Sequence, residues 1–191
     1  MPTIKNSYLL KSSKRLYPGY YINRFMGMRC AADMLHRQLF PNAKEITESF
    51  AAFEATLNNT PLDFGDKVTA VCVGDGTKPR TAAMFCFRSA WNAVSIDPSL
   101  RLKSYNINRL SLIRDKIENV SLTYDHPVVI VQPHSHAKLE DCLQTIKAPV
   151  RHAVCIPCCV PQYVRNRSPD LEYQDENIWS PCNTVKVFLN L

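Results

Sequence analysis

Apolar residues fall along this chain in short β-branched runs separated by stretches of helical spacing. Val68, Ala70, Val71 and Val73 form the first run, which reads as a buried strand of a parallel sheet. It breaks at Gly74-Asp75-Gly76. A helical segment follows from about Arg80 to Ala90, and a second run, Ala93 to Ile96, ends on Asp97. Strand, glycine turn, helix and strand make a βαβ unit of roughly 30 residues. Arg109 to Ile113 alternates and predicts a third strand, Pro127 to Val131 a fourth, and His152 to Ile156 a fifth. Upstream, Phe25, Met26, Met28, Ala32, Met34, Leu35 and Leu39 predict one helix from Asn23 to about Leu39, stopped by Pro41. Ile46, Phe50, Phe53 and Leu57 predict another from about Ala43 to Leu57. Leu139, Cys142, Leu143 and Ile146 place a helix after the fourth strand. Residues 162–181 are polar and Pro-containing and read as a surface loop, and Thr184 to Leu189 alternates as a closing strand.

Alternation of strand and helix argues for a layered α/β fold with a mostly parallel central sheet and N-terminal helices. The expected organisation is a basic arm over residues 1–22 and a single domain over 23–191, with helices in 23–60 and the core in 65–191. In such sheets ligands bind beyond the carboxyl ends of the strands, at the switch point of strand order. That rule gathers Gly74 to Gly76, Asp97, Asp115 with Glu118, His134 to His136, and Cys158-Cys159 along one edge.

The bulk numbers narrow the partners. Apolar content of 46% and charged content of 21% are ordinary for a globular domain. No run approaches the ~18 apolar residues of a membrane span, and the N-terminal stretch lacks the apolar core of a secretory signal. A cytoplasmic protein with reduced thiols is therefore expected. Residues 1–44 hold eight Lys/Arg (Lys5, Lys11, Lys14, Arg15, Arg24, Arg29, Arg37, Lys44) against one acid, Asp33. Tyr8, Tyr17, Tyr20 and Tyr21 lie among these cations. Such an arm suits RNA or DNA, since cations hold phosphates and aromatics stack bases. It equally suits a solvated tail pinned to the domain.

Val73-Gly74-Asp75-Gly76 followed by Ser95-Ile96-Asp97 resembles the first two motifs of the class I S-adenosylmethionine-dependent methyltransferases, which have a Rossmann-like fold. The resemblance covers about residues 65–160. It implies a Rossmann-like three-layer fold and S-adenosylmethionine as cofactor. Gly74 and Gly76 would form the cofactor turn, Asp75 would lie at the methionine end, Asp97 would bind the ribose, and Asp115 or Glu118 would meet the adenine. The residues after the fourth strand, His134 and His136, would face the methyl acceptor. A histidine there with a double cysteine after the fifth strand resembles a less characterised methyltransferase branch. The fourth strand lacks the Asn/Asp-Pro-Pro-aromatic signature of amino-group methyltransferases.

Methyl transfer from a sulfonium needs an aligned nucleophile and at most one proton acceptor, and His134 or His136 suits that task. A nucleic-acid acceptor, RNA in preference, follows from the basic arm. Two other readings use the same residues. One is a non-catalytic Rossmann-like module that binds nucleic acid or a protein subunit. The other is a nicotinamide-dependent oxidoreductase, disfavoured because Pro79 stands where the third glycine of G-x-G-x-x-G belongs. His134, His136, Cys155, Cys158, Cys159 and Cys182 are potential zinc ligands. No second Cys-x-x-Cys completes Cys155-x-x-Cys158, and neighbouring cysteines at a strand end should point apart, so no metal is expected. Cys158 beside a histidine also suits a nucleophile.

Overall fold

The computed structural model describes residues 19–191. Most of the expected basic arm, with Lys5, Lys11, Lys14 and Arg15, therefore lies outside the described residues. The elements in order are α1 (Tyr20–Met26), α2 (Ala31–His36), α3 (Ala43–Asn59), β1 (Thr69–Val73), α4 (Arg80–Arg88), β2 (Asn92–Ile96) and β3 (Leu110–Ile113). A 3-10 turn (Ile117–Asn119), β4 (Leu122–Thr123), β5 (Val128–Pro133), α5 (Leu139–Thr145), β6 (Ile146–Lys147), β7 (Arg151–Ile156), β8 (Leu171–Gln174) and β9 (Thr184–Phe188) follow.

Seven strands form one sheet in the order β3-β2-β1-β5-β7-β9-β8. The first five are parallel, and β9 runs antiparallel to both β7 and β8. Strand order reverses between β1 and β5, which is the switch point of a Rossmann-like three-layer α/β fold. Residues alternate between the two faces as strand geometry requires. Ala70, Cys72, Val129, Val131, Val154 and Ile156 pack with the helices α1 to α4. Val71, Val73, Val94, Ile96, Ile130 and Cys155 pack on the other face, with Leu139 and Cys142 of α5 and Ile117. Both faces are covered, which is why β1 and β5 are apolar at nearly every position. No helix among the described residues is long and apolar enough to cross a membrane.

Expectations change in two stretches of the chain. The single helix from Asn23 to Leu39 is two short helices, α1 and α2. Gly27 caps α1, and Met28 N donates to Phe25 O and Ala31 N to Met28 O, tight turns in place of helical bonds. Glycine is a poor helix former, and the bend lets Phe25 and Met34 both reach the core fully buried. Met26 and Leu35, placed on the apolar face by spacing, are exposed at 58% and 38%. The arm also ends earlier than residue 22: Tyr21 is buried in α1 and its hydroxyl donates to Asp175, so it is not a base-stacking surface. Secondly, residues 162–181 are not simply a loop. They contain β8, whose Leu171 and Tyr173 pack on the core, and the buried Gln162, Asp175, Asn177 and Ile178.

Candidate functional site

Beyond the carboxyl ends of β1, β2, β3 and β5 lies a pocket of about 520 Å³. Its walls include Gly74, Gly76, Asp97, Asp115, Glu118, His134 and His136, seven of the eight positions singled out in the sequence. Ser99, Lys116, Ile117, Ser135 and Ala137 complete much of the lining.

The floor is the glycine bend. Gly74 has φ +89° and Gly76 φ +74°, left-handed values that favour glycine. A Cβ on Gly74 would lie 2.6 Å from Ser135 Oγ and 2.8 Å from Ser135 Cα. The bend is thus held against the chain leaving β5, with no room for a side chain between them. Asp97 stands beside it. One carboxylate oxygen accepts from Gly76 N at 2.9 Å and the other from Ser99 N at 2.7 Å. Both bonds leave acceptor capacity on a carboxylate that is only partly buried.

Asp75 departs from expectation. The resemblance puts it at the methionine end of a cofactor, but its side chain turns inward and is fully buried. Its carboxylate accepts from Thr81 N at 3.0 Å, Ala82 N at 3.2 Å and Ser95 Oγ at 2.9 Å. Two of these donors are free N–H groups of the first turn of α4, so Asp75 closes the positive end of that helix. Burial pushes its pKa up, while Arg80 and the helix N–H groups oppose that rise. Asp75→Asn keeps the shape but removes the charge, and should cost about 1–3 kcal/mol in denaturant unfolding without changing ligand affinity. A specific loss of affinity in that variant would return Asp75 to the site.

Asp115 and Glu118 sit on the far wall. Asp115 is already engaged, accepting from Asn119 Nδ2 at 2.8 Å and Lys116 N at 2.7 Å, and these bonds hold its pKa below the usual carboxylate range. Glu118 is exposed.

The two histidines differ. His134 takes the left-handed conformation, φ 56°, and its ring lies against a partly buried charged cluster at the start of α3, in which Glu48 is buried and Lys44 partly exposed. Nε2 is 3.2 Å from Glu48 Oε1 without being aligned as a hydrogen bond, and Lys44 Nζ binds the same oxygen at 2.7 Å. Glu45 and Arg80 pair beside them at 2.5 Å. Burial, and then the Lys44 cation, lower the His134 pKa from 6.5 to about 4. His134 is therefore neutral and a weak base at physiological pH. His136 is exposed on the pocket rim. Of the two candidates for the acceptor side, His136 is the one that is exposed at the pocket mouth.

The His134 shift sets a pH dependence. Between about pH 6.5 and 4 the unfolded chain binds a proton that the folded chain excludes, so folding stability is complete above the unfolded pKa and lost as pH falls through this window. His152, also lowered by burial, acts in the same sense, whereas the raised pKa of buried Glu48 opposes it. At ~1.4 kcal/mol per pKa unit, His134 contributes up to about 3 kcal/mol of this slope. His134→Asn tolerates the backbone conformation and should flatten the slope, as read by urea unfolding at neutral and acid pH. An unchanged slope would place the acid sensitivity elsewhere.

Several residues that shape the rim carried no signal in the sequence. Gln162 Oε1 accepts from Leu139 N at 2.8 Å, capping α5, and its Nε2 donates to Ala137 O at 2.9 Å. Gln132 Nε2 donates to the same carbonyl at 2.9 Å. These two amides fix the His134–Ala137 loop. Cys158 and Cys159 lie beside this loop with their sulfurs 3.6 Å apart, so they do not point in opposite directions. Strand β7 ends at Ile156 and the chain bends there, so the alternation of a strand no longer applies. Cys155 remains inside β7, its thiol donating to Gln132 Oε1 at 3.3 Å and remote from any shared ligand set. Compared with known proteins, the chain matches no family model and no curated sequence.

Proposed function

We propose that the chain is an S-adenosylmethionine-dependent methyltransferase acting on a nucleic acid, with RNA the favoured acceptor. One observation carries the choice of cofactor. The glycine bend and the strand-end Asp97 form a ribose-binding corner, yet the helix N-terminus behind them, where a dinucleotide enzyme receives pyrophosphate, is already filled by the Asp75 carboxylate. A phosphate-free nucleoside suits this arrangement and a dinucleotide does not. The charge of the walls agrees: Asp97, Asp115 and Glu118 against Lys116 favour a ligand carrying a sulfonium and an ammonium over one carrying phosphates.

In this reading Asp97 accepts from the ribose hydroxyls, Gly74 and Gly76 bring the backbone close to the nucleoside, and Glu118 receives the adenine amino group. His136 stands where the acceptor would enter. The cofactor supplies the electrophile, and the protein supplies alignment and a proton acceptor. Arg24, Arg37 and Lys44 are engaged with Glu54, Asp33 and Glu48, so polynucleotide attraction rests on Lys5, Lys11, Lys14, Arg15 and the exposed Arg29. Eight free cysteines fit a reducing cytoplasm.

A second reading, a non-catalytic module on the same sheet, is favoured by the weak basicity of His134. Thermal unfolding with S-adenosylhomocysteine and with NAD separates the readings. Saturation at ~100 times Kd stabilises by about 2.7 kcal/mol, and this should appear with S-adenosylhomocysteine alone. Stabilisation by NAD alone would refute the cofactor assignment, and no response to either would favour the module.

A further inference from the structure

A second cluster of side chains lies at the rim, outside the ribose corner. It joins the loop after β5 to the loop after β7. These strands are parallel neighbours, paired through Pro133 and Ile156, so their ends lie level. The pairing continues as His134 N donates to Ile156 O at 2.8 Å, and the Cys158 thiol approaches His134 O at 3.5 Å. The two loops therefore run side by side, and they bring a ring nitrogen of His136 and the sulfurs of Cys158 and Cys159 within 4.8 Å of one another.

We propose that His136, Cys158 and Cys159 bind a zinc ion through three protein ligands, at the edge of the nucleoside pocket. The donor set is the first argument. Two thiolates and an imidazole are soft-to-borderline ligands that select zinc over magnesium or calcium. Spacing is the second. A tetrahedral zinc with bonds of about 2.3 Å to sulfur holds two thiolates about 3.8 Å apart, and the Cys158 and Cys159 sulfurs already stand 3.6 Å apart. The third is support: Gln132 and Gln162 fix the loop that carries His136 by both donating to Ala137 O, so the imidazole comes from a braced segment.

Cys182 is adjacent, its thiol 3.8 Å from the Cys158 carbonyl, but lies outside the group of mutually close donors. The site therefore has three protein ligands and an open fourth position, the arrangement of zinc centres that hold water or a substrate atom. Because His136 also lines the pocket, that position is within reach of whatever occupies the acceptor side. The inference is independent of the cofactor assignment, since it rests on the three side chains alone; with zinc bound, the His136 imidazole is a ligand and no longer the proton acceptor.

The test is metal binding by the full chain. Protein reduced and freed of metal is titrated with Co2+ under anaerobic conditions, followed by the thiolate-to-cobalt charge-transfer band and the intense ligand-field bands of a tetrahedral site. Zn2+ is then added in competition. One Co2+ per chain, displaced by Zn2+, is expected. Cys158→Ser, Cys159→Ser and His136→Ala should each weaken binding about 100-fold or more, since loss of a direct ligand exceeds the 10–100-fold typical of outer-shell changes. Cys182→Ser should bind as the parent does. Thermal unfolding of each metal-free variant, led by the exposed Cys159→Ser, shows that the fold is kept. Absence of stoichiometric binding, binding indifferent to the three substitutions, or a Cys158–Cys159 disulfide that persists under reductant would overturn the proposal. Loss of binding in Cys182→Ser would overturn the three-ligand assignment.

Discussion

Gly74→Ala should destabilise the protein by about 3–5 kcal/mol and close the pocket. Two costs add. The backbone at φ +89° is strained for any residue with a Cβ, which costs about 1–3 kcal/mol. The new methyl group would also meet Ser135 at its Cβ and Cα, 2.7 and 2.8 Å away. The clash is with backbone as well as side chain, so no rotamer change relieves it. Overpacking of this kind costs a further 1–3 kcal/mol or so. Relief requires β1 and β5 to separate at their carboxyl ends, which moves the His134–Ala137 loop. Urea unfolding gives the stability loss, and calorimetry with S-adenosylhomocysteine gives the loss of binding. A variant of parental stability would show that the bend is free to shift. Gly76→Ala is milder in packing, because its Cβ would meet only the tip of Arg80 at 3.1 Å.

Asp97→Asn should weaken S-adenosylhomocysteine binding about 100-fold or more. A hydrogen bond to a charged group is worth roughly 1.5–3 kcal/mol, and under the proposed function the carboxylate would accept from two ribose hydroxyls. The substitution also touches the fold, for Asp97 joins the turn at Gly76 to the turn at Ser99. Asparagine retains one acceptor oxygen and should lose about 1 kcal/mol of stability. Affinity must therefore fall far more than stability does. Equal losses would mean that Asp97 only ties the turns together, and intact affinity would place the nucleoside elsewhere.

The sheet was legible where burial was complete. Val68 to Val73 and Pro127 to Val131 are apolar because strands covered on both faces have no polar side to show, and each run lies within a residue or two of the observed strand. Asp97 was legible because a carboxylate ending the second parallel strand has one nearby glycine turn to face. Asp75 was not. A carboxylate between two glycines can look outward to a ligand or double back onto the next helix, and the choice here depends on the Ser95 hydroxyl one strand away. Sequence neighbours carry no sign of that contact. Strand β8 was missed because Leu-Glu-Tyr-Gln is a four-residue, half-exposed edge strand, too short for alternation to stand out. The cysteine pair was misjudged because strand alternation was extended three residues past Ile156, where β7 stops. Gln162 was taken for a surface polar group, and only the packed loop shows it inside.

The placement of β9 has a consequence for synthesis. This strand, late in the sequence, fills an interior slot between β7 and β8, and Leu189 and Leu191 beyond it are tied back to Asp170 and Arg151. While the nascent chain emerges, β7 presents a bare apolar border and β8 has nothing to pair with until residues 184–188 leave the ribosome. Exposed borders of this sort recruit other chains. A translation product stopping short of Thr184 should accordingly aggregate rather than accumulate as a folded fragment.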